Sequence, residues 1–385
     1  MDVSDMHPET PPRLRVLLIA PSLDIVGGQS VQASRLLEEL SKQSQIRIEF
    51  LPINPRAPKL LRPLQKVKYI RTLLTSVLYA LRLISRIGKC QVLHIFTPGY
   101  VAFLLAPAPA ILLGKALGKK TILNYRDGRA EDHLEKSATA VRIMRLVDEI
   151  VAPSGFLVDV FSKFDLRARV IPNIVDIERF RFRRRDCLRP VFLHNRGLEP
   201  LYNVPCTIRA FALIQQRYPE ATLIVAHDGP MRGQLEEMVR SLELRNVSFI
   251  GNVPRNQTAE VYDQADIYIT NPNIDNMPVS VLECFAAGLP IISSCVGGVP
   301  YIVEPERTGL LVPRDDHQAI AAAAFRLLEE PGLAARLAAN GFSECQKYTA
   351  GLVAAHWLDL YRELAARESP RSLNQHTIKI GSNTE

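Results

Sequence analysis

The feature that most constrains this chain is a rhythm in which short runs of β-branched and leucine residues alternate with longer stretches of helical period. The runs fall at residues 15–20, 46–51, 92–96, 121–124, 149–152 and 169–171. A short apolar run bounded by turn residues reads as a strand covered on both faces. Helices between such strands imply parallel pairing, because a parallel neighbour is reached only by a long crossover. After the first run a loop ending in Gly27-Gly28 leads into a helical pattern from Val31 to Leu40, the strand, glycine loop and helix that open a doubly wound α/β domain.

The same rhythm restarts after an arginine-dense stretch, 179–189, which reads as a linker. Its strands are expected at 191–194, 222–226, 247–250, 267–270 and 290–293, with helices near 206–217, 231–242, 257–264, 279–287 and 317–329. At 385 residues the chain is too long for one ordinary core. The expectation is α/β, with two Rossmann-like domains of parallel sheet, 13–185 and 186–350, facing each other across a cleft. A helix over 351–366, holding Trp357 and Tyr361, is expected to cross back to the first domain. The polar tail 367–385 lacks a hydrophobic period and is expected to be disordered.

Charge is unevenly placed. Between Glu49 and Asp127 there are thirteen Lys or Arg and no acid, so a chain of net +7 carries −6 outside that stretch. The basic part, Arg56 to Lys89, mixes its cations with leucines at helical spacing. Such a face suits peripheral contact with an anionic membrane, and equally suits a solvated helix over a core. Nucleic acid is not expected as a partner, since no recognised module or aromatic stacking pattern accompanies the charge. The apolar stretch Tyr100 to Leu113 is short for a membrane span and holds Pro107 and Pro109, so a buried helix is expected there. Six cysteines without a CxxC pair or zinc-type histidine spacing read as reduced core residues of a cytoplasmic protein. Asp2, Asp5 and Glu9 among early prolines are the opposite of a signal peptide. A cytoplasmic location is expected, at the inner face of the membrane if the basic stretch binds lipid.

The chemistry concentrates in Asn271 to Ser294, NPNIDNMPVSVLECFAAGLPIISS. A strand is expected to end at Thr270, with Asp275 in the following loop and Glu283 eight positions on, inside a helix that begins near Pro278. Unpaired N–H groups and the dipole at such a helix start favour phosphate, and a carboxylate nearby can accept hydrogen bonds from a sugar or ribose diol. The bland alternative has Asp275 capping the helix and Glu283 solvated.

This stretch resembles the donor-site motif of retaining glycosyltransferase family 4, in which two acids eight apart flank a Gly-x-Pro loop. Gly288-Leu289-Pro290, Gly297-Gly298-Val299-Pro300 and Thr308 to Pro313 follow in the family's order, and the resemblance runs from about Pro190 to Gly341. It implies a GT-B fold in which Glu283 holds the nucleotide's ribose. Asp275 and the N–H groups of Asn276, Met277, Val279 and Ser280 would hold the transferring sugar. Asp-Asn-Met-Pro stands here in place of the usual Glu-Gly-x-Pro, which suggests a subfamily with a different sugar or sugar pose. Arg196 in HNRGLEPLYNV matches the arginine that neutralises the donor diphosphate, while Tyr202-Asn203 occupies the place of the usual lysine. Gly27 and Gly28 match the glycine pair that approaches the donor's phosphate and sugar. Arg126 stands where many relatives place a histidine; His133 and His94 are the other candidates, and Arg126 and His133 are expected to line the cleft, with no catalytic base assigned.

The resemblance implies a metal-independent hexosyltransferase-type enzyme without a cofactor. It would move a sugar from a UDP- or GDP-linked donor to a hydroxyl of a lipid-linked or polysaccharide acceptor, with retention. A non-transferring sugar-nucleotide-binding protein and a sugar-nucleotide epimerase of the same fold remain open alternatives.

Overall fold

The computed structural model describes residues 13–24, 27–58, 63, 67–97, 99–185 and 187–367. The expected tail lies outside the described residues from 368 on. Among the described residues, twelve strands form two six-stranded sheets. The first holds β1 (Leu14–Ala20), β2 (Ile46–Pro52), β3 (Val92–Thr97), β4 (Lys120–Tyr125), β5 (Glu149–Ala152) and β6 (Arg169–Val170), in the order β2-β1-β3-β4-β5-β6. The second holds β7 (Val191–Asn195), β8 (Thr222–Ala226), β9 (Val247–Gly251), β10 (Ile267–Thr270), β11 (Ile291–Ser294) and β12 (Leu310–Val312), in the order β12-β11-β10-β7-β8-β9. The named strand pairs run parallel, as the crossover helices require.

The chain divides into two compact units. Of the described residues, one comprises those up to Val151, Phe161–Arg169 and 354–367; the other comprises those in Ala152–Val160 and Val170–Val353. In the first unit the ring of His94 on β3 stacks on Trp357 of the last helix, Ala350–Ala366, with centroids 4.2 Å apart. In the second, neighbouring strand residues feed opposite faces of the sheet. Phe192, Leu223 and Ile267 enter one core cluster, while Leu193, Ile224 and Tyr268 enter another.

The arginine-dense stretch is no loose linker, and this moves the boundary expected at 185/186 to Arg169/Val170. Arg185 is 3% exposed and its guanidinium donates to the carbonyls of Tyr262, Ala265, Ala287, Gly288 and Arg183. Four of those carbonyls belong to the ends of helices Thr258–Gln264 and Val279–Ala287 or the residues just beyond them, where the backbone acceptors have no intrahelical donor. Arg183, Arg185 and Arg189 also converge on Asp266; burial pushes its carboxyl up, but the hydrogen bonds of Arg189 and Arg183 hold it below its usual range.

Two further expectations are corrected. The stretch Tyr100 to Leu113 forms two helices, Val101–Leu105 and Pro107–Ala116. Pro107 cannot donate into the first helix but suits the first turn of the second. Phe103 is buried, yet Val101 is 68% exposed and Leu104, Leu105 and Leu112 also face outward. Among the described residues no helix is long and apolar enough to cross a membrane. Of the cysteines, Cys90, Cys206, Cys284 and Cys345 are buried, but Cys187 and Cys295 are exposed. The short strand β12 and the helix Leu333–Cys345 were not expected from the pattern.

Candidate functional site

In the second sheet the chain winds outward from β7 through β8 to β9, then returns to the other side of β7 with β10. The helices that follow β7 and β10 therefore leave in opposite directions, which opens a crevice beyond the carboxyl ends of those two strands. Ligands of doubly wound sheets bind at such a switch point. Arg196 directly follows β7, and the loop carrying Asp275 directly follows β10.

The two side chains meet: Arg196 Nη2 donates to Asp275 Oδ2 at 2.5 Å. Nη1 reaches Ser280 Oγ at 3.4 Å, and the guanidinium lies over the Tyr202 ring, 4.2 Å from its centroid. Burial opposes the cation, but the adjacent Asp275 carboxylate more than reverses this and holds Arg196 above its usual range. Side chains 14% and 13% exposed leave the pair open on one side. Where the family resemblance calls for a lysine, this chain thus supplies an aromatic face, with Asn203 in the left-handed region at φ 45°.

The loop before the helix is braced from behind. Gly298 N–H donates to the Asp275 carbonyl at 2.9 Å. Ser154 Oγ donates to Asn276 Oδ1 at 2.5 Å, and Asn173 Nδ2 to the Met277 carbonyl at 2.8 Å. A Cβ on Gly297 would lie 2.1 Å from the Asp275 carbonyl oxygen and one on Gly298 only 1.7 Å from that of Asn276, so both positions require glycine.

Pro278 precedes the helix Val279–Ala287 as its cap residue, and no side chain caps the first turn. The N–H groups of Val279 and Ser280 accordingly stand at a helix start, as expected. The N–H of Asn276 donates instead to Asp275 Oδ1 at 2.8 Å, and Met277 is 5% exposed. The Asn276 amide nitrogen is buried without a partner. One helical turn on, Glu283 Oε2 accepts from Tyr262 Oη at 3.0 Å. Burial, then the Glu283 charge, push that phenol far above its usual range, which keeps it a donor. Tyr268 Oη donates to Ser280 Oγ at 2.9 Å. Arg196, Asp275, Asn276, Ser280 and Glu283 are thus brought together, while Tyr262, Tyr268, Ser154 and Asn173 were missed. Each of these four sits at an ordinary strand, helix or loop position with no local mark of its role.

In the first unit, Gly27 and Gly28 follow β1 and open the helix Gly28–Ser41. A Cβ on either would meet nothing within 4 Å, so packing does not require glycine at these positions. Arg126 follows β4; its Nε donates to Asn124 Oδ1 at 3.0 Å, and its guanidinium lies 4.8 Å from the Phe96 ring centroid. Burial brings Arg126 down to about 9. Because Asn124 Oδ1 accepts from Arg126, its amide nitrogen is the atom facing His94 Nε2 at 2.9 Å, and Nε2 must accept. His94 then carries its proton on Nδ1 and donates to Tyr361 Oη at 2.7 Å. Burial, reinforced by Arg126, keeps this imidazole well below its usual range and neutral.

His133, expected to line the cleft, is instead enclosed at 1% exposure. Helix Ala130–Lys136 turns positions 130, 133 and 134 inward, the spacing of one helical face. Its ring lies 5.2 Å from that of Tyr100 and 5.6 Å from that of Phe103, and Nδ1 is 2.9 Å from Tyr125 Oη.

Residues 178–344 match the family model of Glycosyl transferases group 1. Among curated relatives, the alpha-D-kanosaminyltransferase of Streptomyces kanamyceticus is 26% identical over 46% of this chain and 46% of its own length. The D-inositol 3-phosphate glycosyltransferase of Saccharomonospora viridis is 27% identical over 58% and 56%. An exopolysaccharide phosphotransferase of Streptomyces coelicolor is 29% identical over 56% of this chain but only 23% of its own. The chain thus spans between 23% and 56% of the length of these relatives. Over 92% of the chain the fold is that of sucrose-phosphate synthase from Thermosynechococcus elongatus, covering 100% of that chain with TM-score 0.71 at 18% identity. Anabaena HepE in complex with UDP gives TM-score 0.72 at 15% identity, covering 91% of this chain and 100% of that one. The architecture is the GT-B one, and residues 178–344, in the second unit, are similar to glycosyl transferases group 1.

Proposed function

We propose that the protein is a retaining glycosyltransferase that takes a sugar from a UDP- or GDP-linked donor and places it on a hydroxyl of a lipid-linked or polysaccharide acceptor. The observation that carries the reading is the Arg196–Asp275 pair at the ends of β7 and β10, beside a helix start without a side-chain cap. A nucleoside diphosphate leaves as an anion, and a cation already in place lowers the cost of that departure without reorganisation. Arg196 and the N–H groups of Val279 and Ser280 supply the positive potential, so the reaction runs without a divalent metal. Asp275 and the loop at 276–277 hold the sugar, and Glu283 accepts from the ribose diol. UDP is the favoured nucleotide because HepE, of the same fold, binds it.

From the first unit the reading keeps Gly27, Gly28 and Arg126 as donor and acceptor contacts. It gives the enclosed His133 no contact with substrate. Retention follows if the acceptor attacks from the leaving-group face, with the donor phosphate taking its proton.

A thermal-shift screen over UDP, GDP and their sugars tests the reading. A ligand at a hundred times its Kd adds about 2.7 kcal/mol of stability, a clear rise in Tm. UDP and its sugars should raise Tm, and Glu283→Ala should remove the rise. No response to any nucleotide, or an unchanged response in the variant, would overturn the assignment.

A further inference from the structure

We propose that the outward face of the helix Lys68–Ile87 seats the protein on an anionic lipid bilayer. The inward face of this helix is used by Tyr79, Leu83 and Ile87, each at most 2% exposed, and Tyr79 Oη donates to the Ala106 carbonyl at 3.0 Å. The opposite face carries Ile70, Leu73, Val77, Leu81 and Ile84, spaced by three or four residues and 43–69% exposed. A helix that merely covers a core places polar side chains there. Isolated exposed leucines need no explanation, but a continuous row marks a surface that something covers.

Charge selects the occupant. Arg71 and Arg82 follow Ile70 and Leu81 by one residue, about 100° round the helix, and form a shoulder to the apolar row. Among the described residues neither has an acidic partner; Arg82 reaches only the Arg56 carbonyl, at 3.5 Å. No Asp or Glu occurs between Glu49 and Asp127. A second copy of this chain on the same face would set cations against cations, and a neutral protein surface would leave them unanswered. An anionic bilayer takes both the apolar row and the shoulder, with the helix lying in the interface plane. The assignment does not depend on the transfer chemistry.

Full-length protein spun with vesicles tests it. The protein should sediment with vesicles of equal phosphatidylcholine and phosphatidylglycerol and stay in solution with phosphatidylcholine alone. The pair Leu73→Glu and Leu81→Glu should abolish sedimentation while Tm and its response to UDP stay unchanged. Arg71→Ala, a change that no packing opposes, should weaken binding about fivefold, the worth of one basic residue at such a surface. Sedimentation that survives the glutamate pair, or binding to neither vesicle, would overturn the proposal. A concentration-dependent dimer abolished by Leu73→Glu in the absence of vesicle binding would instead assign the face to a second copy.

Discussion

Arg196 makes three contacts of different kinds: an ion pair with Asp275, a long hydrogen bond to Ser280 and a stack on Tyr202. A lysine could keep the charge but not the planar fork or the stack, so the conservative change is not conservative here. Arg196→Lys is expected to lower kcat about 10²-fold and Arg196→Ala about 10²- to 10³-fold, measured as sugar release from the donor, with Tm falling by only a few degrees. Arg196, Asp275 and Glu283 were legible in the sequence because each follows a recognisable strand end or lies in the helix after one. Tyr262 was not, since it serves Glu283 across 21 positions and sits in a helix that looks merely amphipathic. His133 misled for a related reason: Tyr100 and Phe103, which help enclose its ring, lie about thirty positions earlier in the chain.

At the scale of elements, the arginine stretch shows what periodicity does not report. A run of cations reads as solvated polar chain, yet Arg185 ties the ends of two helices to the segment before β7. Removing it strands several carbonyls and leaves Asp266 with one buried cation fewer. Arg185→Ala is expected to cost at least about 3 kcal/mol in guanidinium unfolding, whereas the exposed Arg181→Ala should stay within about 0.5 kcal/mol. The strands were legible almost to the residue because β-branched runs covered on both faces leave a strong pattern. β12 escaped because three residues, Leu310–Val312, are too few to show a period. Helix acceptors in need of donors carry no mark in a sequence window, and so the unit boundary was displaced.

For the molecule as a whole, acid should be the sensitive variable. His94, His133, His194 and His227 are all shifted below the usual histidine range, with burial the largest cause in each. His194 is pressed to about 3 by burial and then by Arg196. The unfolded chain takes up protons below about pH 6.5 that the folded chain refuses, so stability is full above that pH and is lost as pH falls toward 3. Each enclosed histidine contributes a slope of up to about 1.4 kcal/mol per pH unit. Tm is expected to be flat from pH 8 to 7 and to fall steeply by pH 5, with His194→Gln making the fall shallower; an equally steep fall in that variant would count against the assignment. Two sheets of parallel strands were visible in the sequence, and a helix over 351–366 was expected to cross back to the first domain, but the assignment of Ala152–Val160 to the second unit was not legible. Since residues 354–367 join the unit begun by β1, that unit waits for the ribosome to deliver this segment before Trp357 can cover His94. The body begun first is therefore finished last, and a nascent chain stalled at Val353 would hold every residue of the later-begun body while the earlier one still lacked its closing helix.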